Sequence, residues 1–253
     1  MTTNYIKLTN NLDVLKLDGI RDKIDEYIDL INDGKITVVD ALYDLTEREI
    51  KLREQRAMSS CVKVANFPFI KTFDDFDFSF QPSINRDKVL DLKNLRFIEN
   101  HENILFIGTP GVGKTHLATS IGIEAAKSRI LTYFINCNDL VMQLKRAHVE
   151  NRLEQRIKFI NRYKLLIIDE VGFLPLDDES SNLIFQLLSK RYEKLSTIIT
   201  TNKPLSQWGE VFGDSVLANA ILDRLVHHSY IFNITGRSYR SMDKINSVDN
   251  KND

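Results

Sequence analysis

Cysteine is scarce in these 253 residues: Cys61 and Cys137 stand in unrelated contexts, neither with a second Cys or a His at ligand spacing. That sets aside a disulfide scaffold and a thiolate metal site, and points to free thiols in a reducing cytosol. Charge of one sign is lacking as well, since 34 basic against 35 acidic residues leave a net of −1. A polyanionic partner would therefore have to be met by local patches rather than by overall charge. No apolar run approaches membrane-spanning length, and the opening Met1-Thr-Thr-Asn-Tyr-Ile-Lys7 lacks the basic-then-apolar order of a secretory signal. The expectation is a soluble, cytoplasmic protein without a membrane contact. There is no internal repeat, and no low-complexity tract beyond the polar tail 246–253, which reads as frayed. What is present is a hydrophobic content of 43%, enough for a real core in one large domain or in a domain with an appendage.

Organisation follows from periodicity. Ile20, Ile24, Tyr27, Ile28 and Ile31 share one helical face, and Asn32-Asp33-Gly34 stops it. A second helix opens at Thr37, with Asp40 as its capping-box partner and Val38, Ala41, Leu42 and Leu45 on its apolar side. Its far end, Glu47 to Arg56, carries four basic and three acidic residues. That run is either a solvated face laced with i,i+4 pairs or a contact for nucleic acid or a partner. Asn66 to Pro82 then holds six phenylalanines among acids and two prolines, which no amphipathic helix accommodates. It reads as an extended connector pinned through its rings, with Phe73 or Phe76 also a candidate for a nucleotide-base pocket. The expected division is a small all-α N-terminal domain (1–62), the Phe-rich connector (63–85), an α/β domain (86–245) and the tail.

Within the α/β domain, a helix is expected over Arg86–Asn100. Strands are expected at Ile104–Ile107, Leu131–Ile135, Leu165–Ile168, Thr197–Thr200 and Tyr230–Ile234. Short apolar runs separated by helical segments predict a five-stranded parallel sheet covered on both faces. The first strand empties into Gly108-Thr109-Pro110-Gly111-Val112-Gly113-Lys114-Thr115 and then a helix beginning at His116. G-x-x-x-x-G-K-[ST] between strand and helix is the phosphate-binding loop. Its glycines would let successive N–H groups face one anion, Lys114 would reach the terminal phosphates of a nucleotide, and Thr115 would ligate Mg2+. The third strand ends in Asp169-Glu170, where Asp169 can hold the metal and Glu170 can polarise the attacking water. The fourth delivers Thr200-Thr201-Asn202 to the same edge, with Asn202 a neutral amide suited to the water or the γ-phosphate. This acid pair and amide suit water activation better than a small-molecule kinase's acceptor site. Between the second and third strands a long helical stretch, Asp139 to Lys164, sets Lys145, Arg146, Arg152, Arg156, Lys158, Arg162 and Lys164 against Asp139, Glu150 and Glu154. Seven basic minus three acidic gives a local +4 and no base-reading motif: either a sequence-insensitive contact with a phosphate backbone or a merely solvated helix face.

The order of these pieces resembles the AAA+ P-loop NTPases, where they are called Walker A, Walker B and sensor 1. That resemblance implies an arginine finger at Arg224, late on the helix before the fifth strand, and a sensor 2 arginine at Arg237 or, preferably, Arg240. More specifically, Phe67-Pro-Phe-Ile-Lys-Thr-Phe-Asp-Asp-Phe-Asp-Phe78, Glu102 to Ala118, Leu166 to Leu176, Ile199-Thr-Thr-Asn-Lys-Pro204 and the closing Gly-x-Ser-Tyr-Arg resemble IstB, the ATP-binding helper of insertion-sequence transposases. The resemblance covers most of residues 10 to 245. It implies ATP-dependent homo-oligomer assembly on double-stranded DNA without sequence preference, remodelling of that DNA, and stimulation of a transposase in DNA transposition. The related DnaC-type loaders of a replicative helicase give the alternative. A dense basic run near residues 48 to 56 is missing relative to that pattern.

Overall fold

The computed structural model describes residues 3–239. The chain divides into two compact units, Met1–Ser60 and Cys61–Asp253. In the first unit lie α1 (Thr3–Val14), α2 (Asp18–Arg21), α3 (Ile24–Asn32) and most of α4 (Val38–Val64). Thr37 opens α4 as its sequence suggests: its hydroxyl accepts the Asp40 N–H at 3.2 Å and donates to the Asp40 carboxylate at 2.6 Å. The expected single face from Ile20 to Ile31 is broken between α2 and α3, and its five apolar residues are only half-buried. Ala41 and Leu45 are buried, but Val38 and Leu42 are exposed. The charged end of α4 is partly spent inside the unit. Glu49, 4% exposed, accepts the Gly19 N–H at 2.7 Å and the Arg53 guanidinium at 2.8 Å, and Arg56 pairs with Asp18.

In the second unit, residues 66–82 are an extended segment with one 3-10 turn, Phe73–Asp75, capped reciprocally by Thr72 and Asp75. The helix expected over Arg86–Asn100 is instead α5 (Arg86–Asp91), a 3-10 turn (Leu92–Asn94) and α6 (Arg96–Glu99). Leu95 takes a left-handed φ of 59°, which ends one helix and starts the next. Leu92, Leu95, Phe97 and Ile98 are all buried, a spacing too tight for one helical stripe, so packing overrides the periodicity.

The remaining elements alternate: β1 (Asn103–Gly108), α7 (Lys114–Lys127), β2 (Thr132–Asn136), α8 (Cys137–Val149), α9 (Leu153–Ile160), β3 (Leu165–Val171), α10 (Asp178–Arg191), β4 (Ser196–Thr201), α11 (Trp208–Phe212), α12 (Ser215–Val226) and β5 (Ser229–Ile234). The strands form one parallel sheet in the order β2-β3-β4-β1-β5. Alternate strand residues feed two cores. Leu166, Ile168 and Ile199 join the apolar faces of α8 to α12, while Leu165, Ile167, Ile198, Ile104 and Phe106 join α7, α5 and the phenylalanine segment. The helical stretch expected over Asp139 to Lys164 is made of two helices, α8 and α9. The chain turns at Glu150–Arg152, with Asn151 at φ 54°. Both cysteines are free; burial pushes the Cys137 thiol up to about 12, which leaves it inert. Among the described residues no helix is long and apolar enough to cross a membrane.

Candidate functional site

A cavity of about 320 Å³ opens at the carboxyl ends of β1, β3 and β4. Pro110 to His116 line one part of it, Glu170, Phe173, Thr200 and Asn202 another, and Phe69, Lys71, Asp75, Phe76, Asp77, Phe80, Gln81 and Tyr239 the rest. The loop geometry requires glycine at two positions. Gly113, the N-cap of α7, has φ +97° and a Cβ there would stand 2.5 Å from the Phe76 ring; Gly111 has φ +84° and packs on Ser238. Lys114 donates to the carbonyls of Gly108 and Thr109, both at 2.8 Å, so its ammonium is held across the loop.

Asp169 and Glu170 are sequence neighbours with different surroundings, and the sheet makes them so. The β3–β4 ladder slips between Ile168 and Val171, where Glu170 takes a left-handed φ of 62°. This bulge keeps Asp169 buried at 6% exposure and turns Glu170 outward to the cavity. The Thr200 hydroxyl stabilises it from both sides, accepting the Glu170 N–H at 2.9 Å and donating to the Asp169 carboxylate. Thr115 Oγ1 also donates to Asp169, at 2.9 Å. Burial pushes the Asp169 carboxyl above the usual carboxylate range, against the pull of the Thr200 and Thr115 hydroxyls, while the Glu170 charge pushes it further and Lys114 opposes. Asn136, at the tip of β2, donates its amide to Glu170 at 2.8 Å. The Asn202 side-chain oxygen is buried at the cavity and has no hydrogen-bond partner among the described residues.

The phenylalanine segment supplies the apolar side. Phe76 lines the cavity, whereas Phe73 is 3% exposed and belongs to the core. His116 packs edge-on against Phe76 and Phe69, and its Nε2–H donates to the Thr72 carbonyl at 2.9 Å. Burial holds its imidazole below the ordinary histidine range. The closing segment returns to the loop: the Tyr239 N–H donates to Gly111 O at 2.9 Å and its ring packs on Phe80. Phe69, Phe80, Tyr239 and Asn136 were not singled out from sequence. Each is brought in by a long-range contact, although a polar residue at the tip of a neighbouring strand was a signal for Asn136.

Other expected residues lie elsewhere. Arg224, in the last turn of α12, does not line the cavity of its own chain. Its guanidinium lies 4.7 Å over the Phe185 ring and donates to Ala220 O at 2.7 Å. Arg240 falls outside the described residues. Of the seven basic side chains in the stretch expected on DNA, Arg146, Arg152 and Arg156 line one groove of about 530 Å³ between α8 and α9, shared with Glu150, which pairs with Arg146 and Arg152. Lys145 is instead tied to Asp177 and Glu179, and Lys158 is exposed outside the groove.

A polar end with a lysine, a threonine–aspartate pair and a second carboxylate, joined to an aromatic end, fits a nucleoside triphosphate with its divalent cation. Residues 10–247 match the family described as IstB-like ATP binding protein. The chain belongs to the IstB-like ATP-binding proteins. It is 53% identical over 243 residues to the insertion sequence IS232 ATP-binding protein of Bacillus thuringiensis subsp. berliner, covering 96% of this chain and 97% of that one. The IS21 ATP-binding protein of Pseudomonas aeruginosa is 42% identical over 230 residues, 91% of this chain and 87% of that one. Among solved structures, the DnaC helicase loader is 26% identical with a TM-score of 0.53, over 67% of this chain and 96% of that one. The replication initiator DnaA bound to AMPPCP and single-stranded DNA is 19% identical with a TM-score of 0.53, over 64% of this chain and 49% of that one. The α/β unit is thus an AAA+ P-loop fold, and its family is that of ATP-binding proteins of insertion sequences.

Proposed function

We propose that this IstB-like chain is an ATPase that assembles into a homo-oligomer on double-stranded DNA when ATP is bound, without sequence preference, and assists a transposase in DNA transposition. The observation that carries the ATPase reading is the bulged Asp169-Glu170 pair beside Thr115, because it separates a buried metal-side carboxylate from an outward one. Gly108 to Thr115 would cradle the phosphates, and Thr115 with Asp169 would hold the magnesium ion. That ion, when bound, supplies Lewis-acid neutralisation of phosphate charge. Glu170, oriented by the Asn136 amide, takes one proton from the attacking water, while the Asn202 side-chain oxygen accepts a hydrogen bond from the O–H that remains. Phe69, Phe76, Phe80 and Tyr239 offer ring faces and edges for the base. Arg224, outside its own cavity yet close to the end of α12, is available to a neighbouring subunit's phosphates. The arginine groove between α8 and α9 is the surface for duplex backbone.

The likeness to a helicase loader supports a second reading, in which the partner is a replicative helicase. Co-purification from cells separates the two: capture of a transposase supports the first, capture of a replicative helicase the second. The ATPase reading is tested by hydrolysis assays with and without random-sequence duplex. Wild type should hydrolyse ATP faster with DNA, and Glu170→Gln should bind ATP but lose turnover. Wild-type turnover in Glu170→Gln would remove the assigned base.

A further inference from the structure

At the opposite edge of the sheet from the cavity, two imidazoles and a carboxylate converge with no role in the nucleotide site. Glu193 lies in the turn between α10 and β4, and His227 and His228 lie in the turn between α12 and β5. One nitrogen of each histidine and one oxygen of Glu193 lie within 4.8 Å of one another. Glu193 Oε1 is 3.7 Å from His227 Nδ1 and 3.9 Å from His228 Nε2. These separations are too long for hydrogen bonds. They are close to the ~3.4 Å edge of a tetrahedron whose ligands sit ~2.0–2.1 Å from a zinc ion. The backbone under the group is fixed, with the Asn103 N–H on His228 O at 2.8 Å and the Tyr192 N–H on Leu188 O at 2.9 Å. The two imidazole rings lie 4.1 Å apart between centroids, so a small side-chain rotation brings their nitrogens to one point. All three side chains are about half exposed, which leaves the remaining coordination position open to water.

We propose that Glu193, His227 and His228 form a surface site for a zinc-class divalent cation. The ligand set is one carboxylate and two neutral imidazoles, the chemistry that selects zinc over magnesium. The Tyr192 hydroxyl, hydrogen-bonded to His227 Nδ1 at 2.9 Å, yields its place to the ion. Bound metal clamps the end of α10 to the end of α12. Arg224, three residues before His227 and resting on Phe185 of α10, lies between the clamped segments.

The test uses untagged full-length protein stripped with a chelator and titrated calorimetrically with zinc chloride, and separately with magnesium chloride, in the absence of nucleotide. We expect saturable uptake of one zinc per chain and none of magnesium at this site. Cobalt chloride should give visible absorption bands of a nitrogen-ligated ion. Glu193→Gln and the double variant His227→Ala/His228→Ala should each weaken zinc binding by more than about tenfold. Because the side chains are exposed, the metal-free variants should melt with wild type. No saturable zinc uptake by wild type, or wild-type zinc affinity in either variant, would overturn the site.

Discussion

Gly113 closes the phosphate loop at a φ of +97° with the Phe76 ring where a side chain would go. Gly113→Ala should therefore cost about 1–3 kcal/mol of stability and open the loop, read as a lower melting temperature together with lost nucleotide binding. A variant that melts and binds like wild type would show that the loop tolerates a Cβ. Asp169 carries the opposite trade. Its carboxyl is raised on folding, so ionised Asp169 stabilises nothing at neutral pH: the cost is absent below the unfolded value near 3.8 and grows as pH rises through the raised folded value. Without metal or nucleotide, Asp169→Asn should melt at neutral pH no lower than wild type and yet lose ATP hydrolysis. A lower melting temperature would mean that the Thr115 and Thr200 hydrogen bonds to the carboxylate outweigh its burial. The glycines, Lys114, Thr115, Asp169 and Glu170 were legible in sequence because one local stretch carries each group. The double service of Thr200 and the Asn136 contact were not, since they depend on strand register: Asn136 faces Asp169 across the β2–β3 ladder.

At the scale of elements, the basic stretch after β2 gains its shape from a break. One continuous helix would have spread its arginines along a rod, whereas the turn at Asn151 folds α9 beside α8 and gathers Arg146, Arg152 and Arg156. Replacing each of these by alanine should lower the slope of log affinity against log salt for random duplex by about 1, measured by filter binding. Lys145→Ala should change it less, because Asp177 and Glu179 already neutralise that charge. An unchanged slope in the arginine variants would move the DNA contact elsewhere. The break was hidden because positive φ at a non-glycine residue leaves little sequence signal. Arg224 on α12 has its own test. If it serves a neighbouring subunit, Arg224→Ala should keep ATP affinity while DNA-stimulated hydrolysis falls on the order of a thousandfold. Unchanged hydrolysis would return it to its place over Phe185.

Over the whole molecule, the number, direction and approximate limits of the strands were readable from five apolar runs between helices. Their order was not, because β2-β3-β4-β1-β5 is set by crossovers rather than by any one segment. That order places β1 beside β4, so the phosphate loop, the acid pair and Asn202 meet at one edge. It also leaves Tyr239, far along the chain, hydrogen-bonded to Gly111. The central claim is that nucleotide at this edge controls the grip on DNA. It is tested most directly by filter binding of the full chain to random-sequence duplex across a salt series, with and without ATP, beside Lys114→Ala. The account predicts salt-sensitive binding by wild type with ATP, little without it, and none by Lys114→Ala under either condition. Equal binding by wild type without ATP and by Lys114→Ala would contradict it.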